Sequence, residues 1–170
     1  MQGYDYSLAG AYFITLVTFQ RDLLFGEIQQ GEMALHRRGE IVREEWFASA
    51  EIRKEIRLYP KEFVVMPNHV HGIVWIVETV GAHGRAPESM GGRRPPHRKP
   101  KSLSSFIAGF KSSVTKRIRM ELNETGIWQR NYYDHIIRTE RELDNIRKYI
   151  ETNPMNWEKD EENNKGLHFK

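Results

Sequence analysis

The order of apolar and polar positions divides the first half of the chain into strand-like and helix-like segments. Residues 11–19 are rich in β-branched and aromatic side chains, which predicts a strand. Residues 21–32 are punctuated by glycine and predict a loop or a short hairpin. Apolar residues recur at helical spacing over 36–56, which predicts a helix. Two further strands are predicted at 58–66 and 69–77, and the turn formers Pro67 and Asn68 between them indicate a hairpin.

The second half begins with a segment that cannot bury a core. Residues 79–101 hold four glycines, four prolines and six basic residues, a composition that predicts a mobile basic loop. Residues 102–122 then predict an amphipathic helix, and residues 128–138 a strand. Thr139 and Glu142 have the spacing of a capping box, so a last helix is expected from about Glu140 to Asn153, where Pro154 ends it.

This order of elements predicts the class of fold. A compact βαββαβ chain typically forms a ferredoxin-like α+β fold, with an antiparallel sheet and helices on one face, and here a C-terminal helix follows it. A length of 170 residues fits one domain. We therefore expect a domain over residues 1–157 and a charged tail over residues 158–170.

Composition excludes several functions. The chain has no cysteine, which rules out disulfides, thiolate metal sites and cysteine nucleophiles. No apolar run approaches 18 residues, and the first 20 residues lack the pattern of a secretory signal. The expected location is therefore the cytoplasm of a bacterial-type cell, in association with the nucleoid.

Positive charge is concentrated in one part of the chain. The net charge is only +3, yet the stretch from Ser89 to Met120 has nine basic residues and no acidic one, so the remainder carries about −6. A basic block on a near-neutral body predicts a face that binds a polyanion. The alternative is a solvated loop whose charge has no partner.

Two histidines at the start of a predicted strand are the first candidate for chemistry. His69 and His71 lie at i and i+2, and alternate side chains of a strand point to the same face. One metal ion could bind both rings if they converge. The alternative is a pair of histidines that hydrogen-bond to the protein at a strand end, because a buried polar ring needs a partner.

The last predicted helix carries the second candidate. Tyr149 and Asn153 are spaced i, i+4 and lie one above the other on the flank of its apolar stripe. They could therefore reach one point at the edge of the sheet. Alternatively, Tyr149 shields the core and Asn153 caps the helix.

Three motifs, in this order, resemble a known family: Val65-Met-Pro-Asn-His-Val-His71, Trp128-Gln-Arg-Asn-Tyr-Tyr-Asp-His135 and Tyr149-Ile-Glu-Thr-Asn-Pro154. The family is that of the single-tyrosine HUH transposases, and within it the group of REP-associated tyrosine transposases and their insertion-sequence-type relatives. The resemblance runs from about Gly3 to Trp157.

The resemblance implies a DNA transposase that is a metal-dependent endonuclease and strand transferase. By likeness to the family, His69, His71 and Asn153 would bind a divalent metal, Mg²⁺ or Mn²⁺, and Tyr149 would be the nucleophile. Such enzymes cut single-stranded DNA beside short hairpins and keep the 5′ end on the tyrosine. Relatives include homodimers and monomers.

Contacts with DNA are expected from the basic block and from nearby aromatic residues. The candidates for phosphate contact are Arg93, Arg94, Arg98, Lys99, Lys101, Lys111, Lys116 and Arg117. Trp128, Tyr132 and Tyr133 could stack on unpaired bases, and Arg21 and Arg130 are further candidates. The alternative roles are solubility and core packing.

Three other interpretations remain open at this point. Tyr133 and His135 share a face of their predicted strand, so Tyr133 could be the nucleophile and His135 a base or an extra ligand. The chain could instead be a non-catalytic module that binds hairpin DNA or RNA. It could also be a metal-dependent phosphodiesterase that uses water.

Overall fold

A computed structural model describes residues 9–78 and 101–159, and these contain seven strands and three α-helices. The strands are Gly10–Val17 (β1), Gly26–Gln29 (β2), Glu32–Leu35 (β3), Ile56–Arg57 (β4), Phe63–Val65 (β5), His69–Ile76 (β6) and Tyr133–Ile137 (β7). The α-helices are Arg37–Ile52 (α1), Leu103–Leu122 (α2) and Glu140–Thr152 (α3). Pro154–Lys159 forms a 3₁₀ segment.

One antiparallel sheet organises the described residues. Its strands lie in the order β4-β6-β1-β7, with β5 also paired to β6. The long central pair β1 and β6 sets the register, in which Thr15 lies opposite His71 and Val17 opposite His69. The predictions of a mixed α/β chain, an antiparallel sheet and three helices are confirmed.

Two predicted elements end elsewhere than the sequence pattern indicated. Helix α1 ends at Ile52, and Ile56 instead pairs with Ile76 in β4. The strand predicted over 58–66 was wrong in its first half, because Pro60 opens a short 3₁₀ turn, Pro60–Glu62. Proline has no amide hydrogen for a ladder bond, so pairing resumes only at β5.

The strand predicted over 128–138 is also shorter than expected. Strand β7 begins at Tyr133, and upstream of it Trp128 makes only an isolated bridge to Thr18. The glycine-rich segment contains the β2–β3 hairpin, as one of the two alternatives expected. Of the predicted basic loop only Lys101, and of the predicted tail only residues 158 and 159, lie within the described residues.

Helices α1 and α2 cover one face of the sheet and form the main core. Tyr12, Ile14 and Leu16 of β1 point into it, and all three are fully buried. Trp46 of α1 lies at its centre, with its ring centroid 4.4 Å from that of Phe63. A core of this size is the main stabilising element of the fold.

A glycine lets the core approach the sheet. A Cβ atom at Gly72 would lie 2.6 Å from Cζ2 of Trp46, which is too close for any side chain. Gly72 follows His71 directly, so the indole of Trp46 packs against the back of the strand that carries the histidines.

Helix α3 lies on the opposite face of the sheet. A smaller apolar cluster joins Ile150 of α3 to Ala11 and Ile73. The N-terminus of α3 is capped as predicted, because the backbone amide of Glu142 donates a 3.2 Å hydrogen bond to Oγ1 of Thr139. Within residues 9–78 and 101–159, no helix combines the length and the apolar content of a membrane span.

Candidate active site

The alternation of β6 divides its residues between the two faces of the sheet. Val70 and Val74 point into the main core, whereas His69 and His71 point to the face that carries α3. Their side chains are buried, and their ring centroids lie 4.4 Å apart. The predicted convergence of the two imidazoles is therefore present.

The ring of His71 is held on both sides by β1. Its Nδ1 lies 2.8 Å from Oγ1 of Thr15, its partner in the strand register. The ring of Phe13 stacks on it at 5.3 Å with an interplanar angle of 25°. Burial lowers the pKa of His71 to about 3, so the imidazole is neutral at neutral pH.

The hydrogen bonds of Asn68 determine the tautomer of His69. The side-chain amide of Asn68 donates from Nδ2 to the carbonyl oxygen of Arg21, at 3.3 Å. That bond orients Oδ1 of Asn68 toward His69, where it lies 2.8 Å from Nδ1. An amide oxygen only accepts, so Nδ1 of His69 carries the proton and Nε2 keeps its lone pair.

Burial also keeps His69 neutral. Its pKa lies well below the ordinary value, first because of desolvation and then because a proton on His69 would be repelled by His71 in its protonated form and by Arg21. The ring of Trp157, from the 3₁₀ segment after α3, lies 6.0 Å from that of His69 at an angle of 31°. Two neutral imidazoles, each fixed through Nδ1, are the arrangement found in histidine metal ligands.

Tyr149 projects from the last turns of α3 toward these rings. Its hydroxyl oxygen lies 3.2 Å from Nε2 of His71, and its ring meets that of Phe13 edge-on at 6.1 Å. The residue is 44% exposed, so part of it is open to solvent. Tyrosine and histidine therefore meet at one accessible point, although 78 positions separate them in the chain.

An ion pair fixes the position of this part of α3 on the sheet. Nε and Nη2 of Arg147 both donate to Oε1 of Glu62, at 2.8 and 2.6 Å. The other carboxylate oxygen of Glu62 accepts from the indole of Trp75, at 2.6 Å. Glu62 is only 3% exposed, and a buried, fully bonded carboxylate holds its partners in one geometry. Arg147 precedes Tyr149 by two residues, so the clamp acts directly on the helical turn that carries the tyrosine.

Asn153 is the C-cap residue of α3, and part of the hydrogen-bonding capacity of its side chain is unused within the described residues. It is only 2% exposed, and its Oδ1 has no hydrogen-bond partner within the described residues. A buried acceptor of this kind is costly unless a ligand uses it. Within residues 9–78 and 101–159, no group of three His, Cys, Asp or Glu side chains could hold a metal ion. This amide oxygen is therefore a candidate third donor beside His69 and His71, and a set of imidazole and oxygen donors would suit Mn²⁺ or Mg²⁺.

The basic candidates of α2 have different surroundings. Nζ of Lys111 donates to the backbone carbonyl of Gln129 at 2.7 Å, and so supports the loop that precedes β7. Arg117 pairs with Glu44, Glu45 and Glu121 between α1 and α2. Lys101, Lys116 and Arg130 are exposed, while Arg93, Arg94, Arg98 and Lys99 lie outside the described residues. The exposed lysines and Arg130 are therefore better placed for phosphate contact than Arg117, whose charge is already compensated.

The predicted stacking residues are largely packed against the protein. The ring of Trp128 lies 5.2 Å from that of Phe25 and 6.0 Å from that of Phe110. The hydroxyl of Tyr132 bonds to that of Ser104 at 3.0 Å. Stacking on a base would require either ring to leave these contacts.

The rival pair on β7 has no such meeting point. Nε2 of His135 lies 2.5 Å from Oε1 of Glu142, near the start of α3. Tyr133 is 45% exposed and lines a small cavity with His135 and Phe13. These contacts give His135 a carboxylate partner and give Tyr133 open surface for a ligand.

The sequence analysis missed the residues that orient the histidines. Thr15 lies in a strand whose alternate residues Tyr12, Ile14 and Leu16 are apolar, and this polar position facing the other way was the available signal. Asn68 was interpreted only as a turn former. Trp157 and the Glu62–Arg147 clamp left no pattern in the sequence.

Comparisons with known proteins identify relatives of this chain. No family model matches the chain. An uncharacterized protein of Haemophilus influenzae is 35% identical over 162 residues, which cover 95% of this chain and 89% of that protein. A putative REP-associated tyrosine transposase of the same organism is 25% identical over 89% of this chain and 73% of its own length.

A solved structure shares the fold. It is that of a REP-associated tyrosine transposase bound to a REP hairpin, with a TM-score of 0.59 and 21% identity over 92% of this chain and 74% of that one. The chain belongs to the same family as the uncharacterized Haemophilus protein, and it is similar in sequence and in fold to REP-associated tyrosine transposases.

Proposed function

We propose that this protein is a DNA transposase that cuts and rejoins single-stranded DNA near hairpins, with Tyr149 as the nucleophile. The observation that carries the proposal is the 3.2 Å approach of the Tyr149 hydroxyl to the paired, buried histidines. The antiparallel sheet and the separate helix α3 support it, because we expect a ferredoxin-like core with the tyrosine on an added helix. The related solved structure is that of a transposase bound to a REP hairpin, which supports a hairpin as the DNA partner.

The proposed reaction exchanges one phosphoester for another. The Tyr149 oxygen attacks the phosphorus and loses its proton, and the bond from phosphorus to the 3′ oxygen breaks. The departing 3′ oxygen takes up a proton, and the 5′ end remains on the tyrosine as a phosphotyrosine. A second 3′ hydroxyl can reverse the step, so rejoining needs no ATP.

His71 is poorly suited to be the base that activates the phenol. A histidine with a pKa of about 3 has little affinity for a proton at neutral pH. The same neutral ring keeps a lone pair for a metal. In this proposal His69, His71 and Asn153 hold a divalent ion, Mg²⁺ or Mn²⁺. When bound, such an ion supplies positive charge that lowers the pKa of a nearby phenol and stabilises a phosphodiester oxygen.

Binding of the DNA backbone is assigned to exposed cations outside the Tyr149 site, because α2 covers the opposite face of the sheet from α3. Tyr149 is open to solvent, and exposed cations lie on α2 and on the loop before β7. Positive side chains of this kind bind a DNA backbone without regard to sequence. The expected partner is therefore a single strand that carries a hairpin.

A covalent adduct tests the proposal. The purified protein is incubated with a labelled single-stranded DNA hairpin and Mn²⁺, and a denaturing gel separates protein-linked DNA. We expect a DNA-linked band with the wild type and with Tyr133→Phe, and none with Tyr149→Phe. Tyr133 is the matched control because it is equally exposed and lies on the same side of the sheet.

Two other outcomes would replace the proposal. Cleavage without an adduct that survives in Tyr149→Phe would indicate a phosphodiesterase that uses water. Binding of the hairpin with neither cleavage nor adduct, at any Mn²⁺ or Mg²⁺ concentration, would indicate a non-catalytic binding module. An adduct lost only in Tyr133→Phe would move the nucleophile to β7.

A further inference from the structure

A recess opens between strand β7 and helix α3, beside the candidate active site. Its volume is about 320 Å³, and it is lined by Phe13, Tyr133, His135, Glu142, Asn145 and Ile146. Ligand sites in proteins typically measure roughly 300–1,000 Å³, so this recess suits a single flat ring system better than a larger ligand. The cleavage reaction proposed above does not use it.

Two contacts place the recess next to the phenol of Tyr149. The ring of Phe13, which forms one wall, stacks on His71 at 5.3 Å and meets the ring of Tyr149 edge-on at 6.1 Å. Asn145 precedes Tyr149 by four residues on α3, and residues at this spacing are neighbours on one side of a helix. A group held in the recess is therefore adjacent to whatever the phenol contacts.

The register of the sheet leads to the same placement. Tyr133 lies opposite Thr15, which in turn lies opposite His71, and opposed residues of antiparallel strands point to the same face. Two strand spacings of about 4.8 Å separate the backbones of Tyr133 and His71, or roughly 10 Å in all. A nucleotide whose phosphate contacts Tyr149 could therefore place its own base, or the base next to it, in the recess.

The aromatic and apolar part of the lining suits the face of a base. Tyr133 is exposed, so part of its ring is available for stacking, and Phe13 and Ile146 add apolar surface beside it. Aromatic side chains stack on unpaired bases of any sequence, because every base has a π-face.

The polar part of the lining suits the edge of a base. Asn145 is exposed, and an asparagine amide offers both hydrogen-bond donors and an acceptor. Nε2 of His135 lies 2.5 Å from Oε1 of Glu142, whose Oε2 accepts from the backbone amide of Arg138 at 2.8 Å. His135 and Glu142 thus already have partners, and the amide of Asn145 is the polar group of the lining best placed to bond a ligand.

We propose that this recess binds the unpaired base of a nucleotide next to the phosphate that Tyr149 attacks. Tyr133 stacks on the base, and the amide of Asn145 hydrogen-bonds to its edge. The inference rests on the proposed function and adds a base-binding site to it. A paired base cannot enter the recess, so the site favours a single strand at the point of cleavage.

The first arm of the test measures binding and needs no cleavage. Tyr149→Phe protein is titrated with a DNA hairpin that has single-stranded flanks, and with a series in which each flanking base in turn is replaced by an abasic site. Loss of the bound base should weaken binding by about 10-fold at one position of the flank, the effect of losing one stacked base.

The same series is then measured with Tyr133→Ala in the Tyr149→Phe background. This variant should bind the intact DNA about 10-fold more weakly and should have no further effect on the DNA that is abasic at the bound position. Such non-additivity indicates direct contact between the side chain and that base. Tyr133→Phe keeps the ring and should restore the coupling to the same base. If Tyr133→Ala weakened the intact DNA and every abasic DNA equally, the proposal would be overturned.

The matched control is Tyr59, an exposed tyrosine at the opposite edge of the sheet. It is 50% exposed, meets Trp75 edge-on at 6.4 Å, and lines a separate cleft with Phe63 and Ile150. Tyr59→Ala removes the same kind of side chain from the surface and should show no coupling to any abasic position. Equal coupling of Tyr59→Ala and Tyr133→Ala to the same base would overturn the assignment to the recess.

A second variant tests the hydrogen bond to the edge of the base. Each of the four bases is placed at the bound position, and wild-type Asn145 should favour the best of them over the worst by about 10-fold. Asn145→Ala should bind all four with nearly equal affinity, and its melting temperature should stay close to that of the wild type because the residue is exposed. A preference that survives in Asn145→Ala, or the absence of any preference in the wild type, would remove Asn145 from the site.

Mapping of the adduct relates the recess to the chemistry and separates the two proposals. With Tyr149 present, the DNA linked to the protein identifies the cut phosphate, and the bound base should be adjacent to it. A bound base several nucleotides away would overturn the inference. If an adduct forms but no base is coupled to Tyr133, the recess is rejected while the nuclease assignment stands. If one base is coupled to Tyr133 but no adduct forms, the recess binds DNA and the nuclease assignment falls.

Discussion

The two faces of the sheet use alternate residues of the same two strands for opposite purposes. On the face covered by α1 and α2, the inward residues of β1 and β6 are apolar and fully buried against Trp46. On the face covered by α3, the same strands present Thr15, His69 and His71. The first face resembles any well-packed core, and its contacts explain why the chain folds. The second buries polar rings that each need a specific partner, and its contacts explain what the chain can do.

The comparison also shows how one face supports the other. Trp46 packs directly on Gly72, the residue after His71, so the core fixes the position of the strand that carries the two histidines. Stability and chemistry are therefore separable by residue, although they share a backbone. Substitutions on the core face should therefore affect mainly stability, and substitutions on the site face should affect mainly the chemistry.

The largest expected effect is on the site face. His71→Gln should lower the rate of adduct formation by about 1,000-fold, because it removes the ring that contacts Tyr149 and that, in the proposed function, would bind the metal. A urea titration should show that the free energy of unfolding changes little by comparison. If His71→Gln instead lowered the free energy of unfolding strongly and kept the wild-type rate of adduct formation per folded molecule, the division of roles between the two faces would be contradicted.

On the core face the effects are reversed. Trp46→Ala removes the largest fully buried side chain, and the cavity should cost about 3–5 kcal/mol of the free energy of unfolding. The rate of adduct formation at low temperature, corrected for the folded fraction, should stay within a few-fold of the wild type. A large loss of rate in fully folded protein would show that the core also positions the reacting groups.

A smaller effect is expected for the residue that orients His71. Thr15→Val keeps the shape of the side chain but removes the hydroxyl 2.8 Å from Nδ1. Loss of such an orienting bond typically weakens metal binding by about 10–100-fold. Titration with Mn²⁺, followed by water proton relaxation, measures the affinity directly. Thr18→Val is unsuitable as a control because Thr18 supports the turn at Arg21, so Thr115→Val on α2 serves instead.

The buried histidines also predict a dependence of stability on pH. In the unfolded chain each takes up a proton near pH 6.5, whereas His71 in the folded protein does so only near pH 3 and His69 well below its ordinary value. The unfolded state therefore binds more protons across this window, and stability falls as the pH drops below 6.5. The loss should approach about 1.4 kcal/mol per pH unit for each histidine. Unfolding by urea at pH 7, 6 and 5 in metal-free buffer measures it.

A double variant provides the check on this slope. In His69→Gln/His71→Gln the groups that titrate are gone, so the free energy of unfolding should change much less between pH 7 and pH 5. An equal slope in both proteins would assign the effect to other groups.

The smallest expected effect lies at the start of α3. Thr139→Ala removes the side-chain cap of the helix that carries Tyr149 and should cost about 1 kcal/mol. The rate of adduct formation should fall only slightly, because the Glu62–Arg147 clamp holds the other end of the helix. Replacing Glu62 by Gln, which weakens that clamp, should affect the rate more than the loss of the cap does.

Much of this architecture followed from local patterns in the sequence. The β-branched and apolar residues of 11–19 and 69–77, the helical spacing in 102–122 and the capping box at Thr139 each reflect interactions between near neighbours. The same reasoning placed His69 and His71 on one face of a strand, and Tyr149 and Asn153 on one side of a helix. It misplaced the element at 58–66, where a proline turn interrupts the ladder, and the end of α1, where Ile56 gains more from pairing with Ile76 than from extending the helix.

Tertiary structure alone decided how these pieces meet. The register of β1 against β6 joins Thr15 to His71 across 56 positions, and the clamp between Glu62 and Arg147 sets the tyrosine helix across 85. No periodicity within one segment encodes such contacts, because they depend on how two elements pack after both have formed. The turn at Gln20 and Arg21, two residues with positive φ, belongs to the same class, since Asn68, in the turn before β6, donates a hydrogen bond to the carbonyl oxygen of Arg21. The sequence thus specified the chemical groups, and packing between distant elements brought them to one place.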